Sequence, residues 1–149
     1  MITMNELNPH GYDTDDETLA NLNDLLVKMN KVRTAYSIPM TVTSGLRNQA
    51  DQTRINPSAP KSKHLTGNAC DIADTDGALL KWILANLDLM EEIGVYFEHF
   101  CWTHPKGAGW WCHFQNVPPA SGKRIFVPSS APNPNPDIWN GEYDSSLDD

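Results

Sequence analysis

Residues 62–71 read Ser-Lys-His-Leu-Thr-Gly-Asn-Ala-Cys-Asp, and this segment constrains the fold more than any other part of the chain. His64 and Asp71 are seven positions apart, so both can bind one metal ion when a tight turn folds between them. Gly67 can supply that turn because glycine adopts a positive φ at little cost, and the small side chain of Ala69 lets neighbouring backbone approach closely. The segment therefore predicts a tight loop that leads into a strand and brings two potential metal ligands together.

Side-chain alternation along two predicted strands adds a third candidate ligand. In the strand predicted over residues 69–73, Cys70 points into the core and Asp71 points to the other face. The same alternation over residues 110–115 puts His113 on the face opposite its apolar neighbours. Two ring nitrogens and one carboxylate oxygen suit Zn²⁺ and leave a fourth position open for water, an arrangement typical of a catalytic zinc centre.

Two amphipathic helices are predicted to supply much of the core. Thr14 and Glu17 form a potential capping box. Apolar side chains then recur every three or four positions, which is typical of one buried helix face, at Leu19, Leu22, Leu26, Met29, Val32 and Tyr36. Residues 75–90 show the same spacing, and Asp74 or Thr75 is available as the cap.

The other strands are predicted from short segments rich in β-favouring residues. Residues 40–43 alternate apolar and polar side chains and predict a short strand. Residues 94–100 and 110–115 are expected to pair as an antiparallel hairpin, with Pro105 and Gly107 in the connecting loop. The prediction is therefore one α+β domain with a small antiparallel sheet.

The composition changes after Val117, where Pro, Asn, Ser and Asp become frequent. We therefore divide the chain into a domain over residues 1–117 and an extended tail over residues 118–149. Such a sequence either wraps over the domain or stays partly disordered. The apolar residues available for wrapping are Ile125, Phe126, Val127 and Trp139.

Charge and composition exclude several classes of protein. The net charge of −8 argues against a nucleic-acid binder, because neutralising phosphates requires clustered Lys and Arg. The sequence shows neither an apolar run of roughly 20 residues, as a membrane span needs, nor the basic and apolar start of a signal peptide. The three cysteines are odd in number and indicate no disulfide framework. We expect a monomer that is made in the cytoplasm and has no nucleic-acid or membrane partner.

Three blocks of the sequence resemble a known family. Ser44-Gly45-Leu46-Arg47 is similar to the block S-G-[YF]-R, residues 62–71 fit the pattern S-x-H-x-x-G-x-A-x-D, and residues 111–113 resemble W-x-H. These blocks are typical of zinc D-alanyl-D-alanine carboxypeptidases and dipeptidases and of phage L-alanyl-D-glutamate endopeptidase lysins. The resemblance covers residues 40–115.

The resemblance implies a hedgehog/DD-peptidase-like fold, in which helices flank a small antiparallel sheet, and a zinc peptidase domain over residues 1–117. It implies Zn²⁺ as the cofactor, held by His64, Asp71 and His113. It also implies that Arg47 holds a substrate carboxylate or carbonyl, a role suited to its planar guanidinium. Trp111 and Ser62 are further candidates beside the substrate, although tryptophan is more often a packing residue and Ser62 is suited to bracing the metal loop.

The catalytic base is where the sequence departs from the family. Compact members carry an acid or a histidine two or three residues before the last ligand, but Trp111 and Trp110 occupy those positions. We predict that Glu98 takes this role, because the hairpin pairing sets it across from Cys112 and His113. A register shift of one residue would turn Glu98 to the other face of the sheet. The competing proton acceptors are His104 and His99.

The predicted activity is hydrolysis of peptide bonds in the stem or cross-link peptides of bacterial peptidoglycan by a phage-type endolysin endopeptidase. Such a protein would reach the cell wall after release by phage lysis or as part of a virion. One alternative is a D-alanyl-D-alanine carboxypeptidase, which requires a tight pocket for a terminal carboxylate. The other is a non-catalytic, zinc-stabilised wall-binding or virion protein, which would leave Glu98 turned away from the metal.

Overall fold

A five-stranded sheet lies at the centre of the computed structural model, which describes residues 1–57, 59, 61–104, 109–120 and 122–126. The strands are β1 (Val42–Ser44), β2 (Ala69–Ala73), β3 (Tyr96–Glu98), β4 (Trp111–Gln115) and β5 (Ile125–Phe126). Their order across the sheet is β1-β2-β4-β3-β5. The first four strands pair antiparallel, and β5 lies parallel to β3 at one edge. The predicted α+β class with a small antiparallel sheet is therefore confirmed, and the parallel strand β5 is an addition that the sequence did not predict.

Six α-helices and one 3-10 turn accompany this sheet among the described residues. They are α1 (Met4–Leu7), α2 (Asp16–Tyr36), α3 (Gln49–Ile55), the 3-10 turn Lys63–Thr66, α4 (Ala78–Ala85), α5 (Leu87–Ile93) and α6 (Phe100–Thr103). Within the described ranges, no helix is both long enough and apolar enough to cross a membrane.

Helix α2 confirms the first predicted helix but begins differently. The carboxylate of Asp15 accepts a hydrogen bond from the N–H of Thr18 at 2.7 Å, so Asp15 is the N-cap. The predicted capping box of Thr14 and Glu17 is therefore wrong, because the helix starts later than that box requires. The buried face consists of Leu22, Leu25, Met29 and Val32. Leu19, in the first turn, is 44% exposed.

The helix predicted over residues 75–90 is two helices in the structure. Asn86 separates α4 from α5 because its backbone leaves the helical region, with φ −131° and ψ 34°. The N-cap of α4 is Gly77, so the predicted N-cap at Asp74 or Thr75 is wrong because the helix starts later. The carboxylate of Asp74 still accepts hydrogen bonds from the N–H groups of Leu79 and Leu80 in the first turn of α4.

The predicted hairpin is confirmed as the antiparallel pair β3–β4, in which Tyr96 is opposite Gln115 and Phe97 is opposite Phe114. Continuing this register places Glu98 opposite His113. The connection between the two strands contains helix α6, which the sequence did not predict. Pro105 and Gly107 lie outside the described residues.

Alternation along β2 and β4 separates the core from the site. Cys70 and Ile72 of β2 belong to the buried apolar cluster, together with Cys112 and Phe114 of β4. This cluster also contains the buried face of α2 and apolar residues of α4 and α5, so it fills the space between helices and sheet. Asp71 and His113 lie on the other face, as the alternation predicts.

The segment after Val117 contributes the edge strand β5. Its residues Ile125 and Phe126 pair with Phe97 and Glu98 of β3. Ile125 and Phe126 therefore pack on the domain. The boundary at residue 117 stays a prediction, and Val127 and Trp139 lie outside the described residues.

Candidate metal centre

The three side chains predicted to hold a metal ion lie together in the structure. His64 belongs to the 3-10 turn, Asp71 to β2 and His113 to β4, and the last two are directly opposite each other on neighbouring strands. All three residues are buried, and one ligand atom of each lies within 4.8 Å of the other two. The turn and the strand pairing thus assemble the cluster, while its role in binding metal stays a prediction.

The carboxylate of Asp71 lies between the two histidine rings. Its Oδ1 atom is 3.0 Å from Nδ1 of His113 and 3.3 Å from Nε2 of His64. The two imidazole rings meet edge to face, with centroids 5.1 Å apart. Three donor atoms of two chemical types therefore point at one small volume.

The loop before Asp71 is held in the form that the sequence predicts. The hydroxyl of Ser62 accepts a hydrogen bond from the N–H of His64 at 3.2 Å. Gly67 ends the 3-10 turn with φ 75°, a conformation that glycine adopts without strain. Ser62 thus braces the loop, and contact between Ser62 and a substrate stays a prediction. Trp111 is half-buried and occupies the same face of β4 as His113.

The guanidinium of Arg47 contacts the cluster through Asp71. Its Nη2 atom is 3.3 Å from Oδ2 of Asp71, its Nε donates to the hydroxyl of Ser44, and its Nη1 donates to Oε1 of Gln52. The side chain is only 10% exposed. Arg47 is therefore fixed beside the site by three polar partners, and its predicted contact with substrate is untested.

The carboxylate of Glu98 reaches the same place from β3. Its Oε1 atom is 3.7 Å from Nδ1 of His113, the ring nitrogen that also faces Asp71. Glu98 therefore does not point into the core. His104, one of the competing acceptors, is bonded to Asp74 instead. His99, the other competitor, is buried with its ring against Phe100, and this burial lowers its pKa to about 4.

Burial and mutual attraction set the charges of the cluster. Burial alone would raise the pKa of Asp71, but the neighbouring histidines hold it well below its usual range. Burial lowers the pKa of His64, which favours its neutral form. Burial would also lower the pKa of His113, but attraction to Glu98 and bonding to Asp71 raise it to about 9. The metal-free site thus favours one ionised carboxylate and one protonated imidazole.

A second group of metal-ligand types lies on the core side of the sheet and consists of Asp74, His104 and Cys112. Hydrogen bonds account for this group. Nε2 of His104 is 2.8 Å from Oδ2 of Asp74, the thiol of Cys112 is 3.7 Å from the same atom, and Asp74 also accepts two N–H groups of α4. We therefore assign this group to the support of helix α4.

The first cluster offers the donor atoms of a catalytic metal site. Two imidazole nitrogens and one carboxylate oxygen form the His₂-carboxylate set of catalytic zinc sites, in which a fourth position stays open. In each histidine, the ring nitrogen that does not face Asp71 lies within hydrogen-bond distance of an oxygen atom of the protein. Such a second contact is usual for metal-binding histidines. One of these oxygens belongs to Gln115, to which the sequence analysis assigned no role. Gln115 is two residues after His113 on the same face of β4, and this spacing could have identified it as a neighbour of the candidate ligand.

A comparison with known protein families identifies the chain as a peptidase. A family model described as peptidase M15 matches residues 1–104, and the chain belongs to this family. The resemblance drawn from the sequence is thereby confirmed. The match includes His64, Asp71 and Glu98 and ends before β4, so the strand pairing is what links His113 to the matched part. Comparisons with curated proteins and with solved structures gave no match.

Proposed function

We propose that this chain is a zinc metallopeptidase that hydrolyses peptide bonds in bacterial peptidoglycan, as an endopeptidase of the phage-lysin kind. One observation carries the proposal. The buried donor atoms of His64, Asp71 and His113 lie within 4.8 Å of one another, and the carboxylate of Glu98 lies 3.7 Å from Nδ1 of His113. A metal site with an adjacent carboxylate is one arrangement that catalyses amide hydrolysis.

The residues divide the chemistry between them. His64, Asp71 and His113 would hold Zn²⁺, which when bound polarises a carbonyl and lowers the pKa of a water molecule. Glu98 takes a proton from the attacking water as the new C–O bond forms. It then gives that proton to the departing amine as the C–N bond breaks. Arg47, held beside Asp71, positions a carbonyl or carboxylate of the substrate.

The setting of this reaction is part of the proposal. The substrate would be a stem or cross-link peptide of peptidoglycan, and the protein would act as a monomer after phage lysis or from a virion. Endopeptidase lysins and D-alanyl-D-alanine carboxypeptidases share the sequence patterns on which the assignment rests. The two activities therefore have to be distinguished by the products they release.

The test is hydrolysis of purified peptidoglycan by the zinc-loaded protein, with mass spectrometry of the products. We expect the wild type to cut and both His64→Ala and Glu98→Gln to lose at least about 100-fold in rate, since general acid–base catalysis alone contributes about 10²–10⁴-fold. Matched controls are His10→Ala and Glu91→Gln, which change the same residue types at exposed positions and should keep full activity.

Each outcome has a definite meaning. Internal stem-peptide fragments would support the endopeptidase, whereas release of a terminal D-alanine alone would identify the carboxypeptidase. Zinc-bound wild type that cuts nothing would overturn the enzyme proposal in favour of a wall-binding protein. Loss of activity in His64→Ala with full activity in Glu98→Gln would keep the metallopeptidase and remove Glu98 as its base.

A further inference from the structure

The two histidines of the cluster present different ring nitrogens to Asp71. His64 presents Nε2 and His113 presents Nδ1. In each ring the remaining nitrogen faces an oxygen of the protein. Nδ1 of His64 is 2.9 Å from the carbonyl oxygen of Gly45, and Nε2 of His113 is 2.9 Å from Oε1 of Gln115. The first contact is made by backbone and the second by a side chain, so only the second can be removed by simple substitution.

We propose that Gln115 is a positioning residue that fixes the orientation and tautomer of His113 and thereby sets the affinity of the site for its metal. This proposal rests on the metal site of the proposed function. It goes beyond that function by giving a role to a residue that is neither a metal ligand nor the catalytic acid or base.

The orientation of the Gln115 amide is fixed by its own partner. Its Nε2 atom donates to the carbonyl oxygen of Val117 at 2.9 Å. Reversing the amide would set two oxygens against each other at Val117, so the oxygen of the amide must face His113. Gln115 is 1% exposed, which keeps water from taking over either contact.

This orientation determines which nitrogen of His113 can bind a metal ion. An amide oxygen only accepts hydrogen bonds, so Nε2 of His113 must carry the proton. The lone pair of the neutral ring is then on Nδ1, which is the nitrogen that faces Asp71. Without Gln115 the neutral ring could carry its proton on Nδ1 and donate it to Asp71, a form that cannot bind the metal there. Partners of this kind typically contribute 10–100-fold in metal affinity.

A role in packing alone makes different predictions. Gln115 is opposite Ala69 of β2 and Tyr96 of β3, so it fills space in the middle of the sheet. Methionine has a similar length and would fill that space without an acceptor oxygen. Glutamate keeps the acceptor beside His113, but it loses the bond to Val117 and sets a second carboxylate oxygen against that carbonyl. Comparing these two substitutions therefore separates the hydrogen bond from the volume.

The experiment is a zinc titration of the full chain against a chromophoric chelator, with wild type, Gln115→Met, Gln115→Glu and the control Gln49→Met at an exposed position. We expect Gln115→Met to bind zinc about 10–100-fold more weakly, Gln115→Glu to recover much of that loss, and Gln49→Met to match the wild type. Imidazole ¹⁵N NMR of the zinc-loaded wild type should show His113 protonated on Nε2. Urea unfolding of the chelated proteins checks that each variant folds.

Wild-type affinity in a folded Gln115→Met would overturn the proposal. If that variant does not fold, the wild-type NMR spectrum decides, because a proton on Nδ1 of His113 contradicts the proposed role. The outcome is distinct from failure of the proposed function. Wild type that binds zinc but cuts no peptidoglycan would remove the activity and leave the role of Gln115 intact, whereas wild type that binds no zinc would remove both.

Discussion

Gly45 supports the site through its carbonyl group and through its lack of a side chain. Its carbonyl oxygen is 2.9 Å from Nδ1 of His64. Its α-carbon packs against the carbonyl of Leu7, and the next amide, that of Leu46, donates to this same carbonyl at 2.7 Å. A β-carbon at Gly45 would collide with the backbone of Leu7, which cannot move as a flexible side chain does.

We therefore expect Gly45→Ala to lower the free energy of unfolding by about 3 kcal/mol, the upper part of the range for overpacking, and to weaken zinc binding. Urea unfolding and zinc titration measure the two effects. Gly11→Ala is the matched control, because Gly11 has φ 62° but no neighbour within 4 Å. Its cost should be about 1 kcal/mol, from backbone strain alone. Equal losses in both variants would contradict the steric explanation.

The raised pKa of His113 predicts that zinc affinity depends on pH. In the metal-free protein His113 is protonated below about pH 9, and this proton must leave before the ring can bind metal. The pKa of His64 is lowered by burial, so that ring is already neutral at any pH above the usual pKa of histidine. One proton is thus released, and affinity should fall about tenfold per unit as the pH falls from about 9 towards 7.

Isothermal titration in buffers of different ionisation enthalpy measures both the affinity and the number of protons released. The prediction fails if affinity is constant between pH 7 and about pH 9, since His113 would then be neutral before the metal binds.

The clustering of the candidate ligand residues could be predicted from sequence, while the partners of these residues could not. Strand alternation is a strict period of two, so it determines the faces of Asp71 and His113 once the strands are located. The predicted hairpin sets Glu98 across from Cys112 and His113, and the register in the structure selects His113. The contacts of Arg47 with Gln52 and of His113 with Gln115 depend on side-chain rotamers and on the approach of separate segments. No local pattern in the sequence predicts such rotamers or the approach of such segments.

At the scale of elements, the buried Asp74 joins the end of β2 to two helices. It accepts the N–H groups of Leu79 and Leu80 from α4 and bonds to His104, which follows α6. Burial opposes its ionisation, but these hydrogen bonds keep the pKa of Asp74 below its usual value. The carboxylate is thus a support for the helices behind the sheet.

Asp74→Ala should lower the free energy of unfolding by about 3 kcal/mol or more, because it leaves several buried donors without an acceptor at about 1–3 kcal/mol each. The matched control is Asp76→Ala, which removes an exposed carboxylate that accepts from the N–H of Ala78 at 3.0 Å. An exposed cap of this kind contributes about 1 kcal/mol. Urea unfolding compares the two variants, and similar losses would show that Asp74 is only an ordinary cap.

Elements with regular periodicity were predicted well, and interruptions were not. The apolar spacing of α2 and the alternation of β2 both appear in the structure. The break at Asn86 left the apolar spacing of residues 75–90 intact, so no periodicity signal could reveal it. Helix α6 is four residues long, which is too short for a repeat to be visible. Strand β5 has only two residues, and its place beside β3 follows from tertiary contacts.

At the scale of the whole molecule, the candidate centre is made by long-range pairing. Asp71 and His113 are 42 positions apart and meet because β2 and β4 are neighbours in the sheet. The family match ends at residue 104, yet β4 is needed to bring the third candidate ligand to the first two. The candidate metal centre is therefore a property of the complete sheet and not of the segment 62–71 alone.

The zinc content of purified, zinc-loaded protein, determined by elemental mass spectrometry after free ion is removed, shows which residues hold the metal. We expect one ion per chain in the wild type and in Cys112→Ser, which alters the hydrogen-bonded group behind the sheet. We expect almost none in His64→Ala, Asp71→Ala or His113→Ala. Zinc retained by all three of these variants and lost in Cys112→Ser would place the metal behind the sheet and rule out the site at His64, Asp71 and His113.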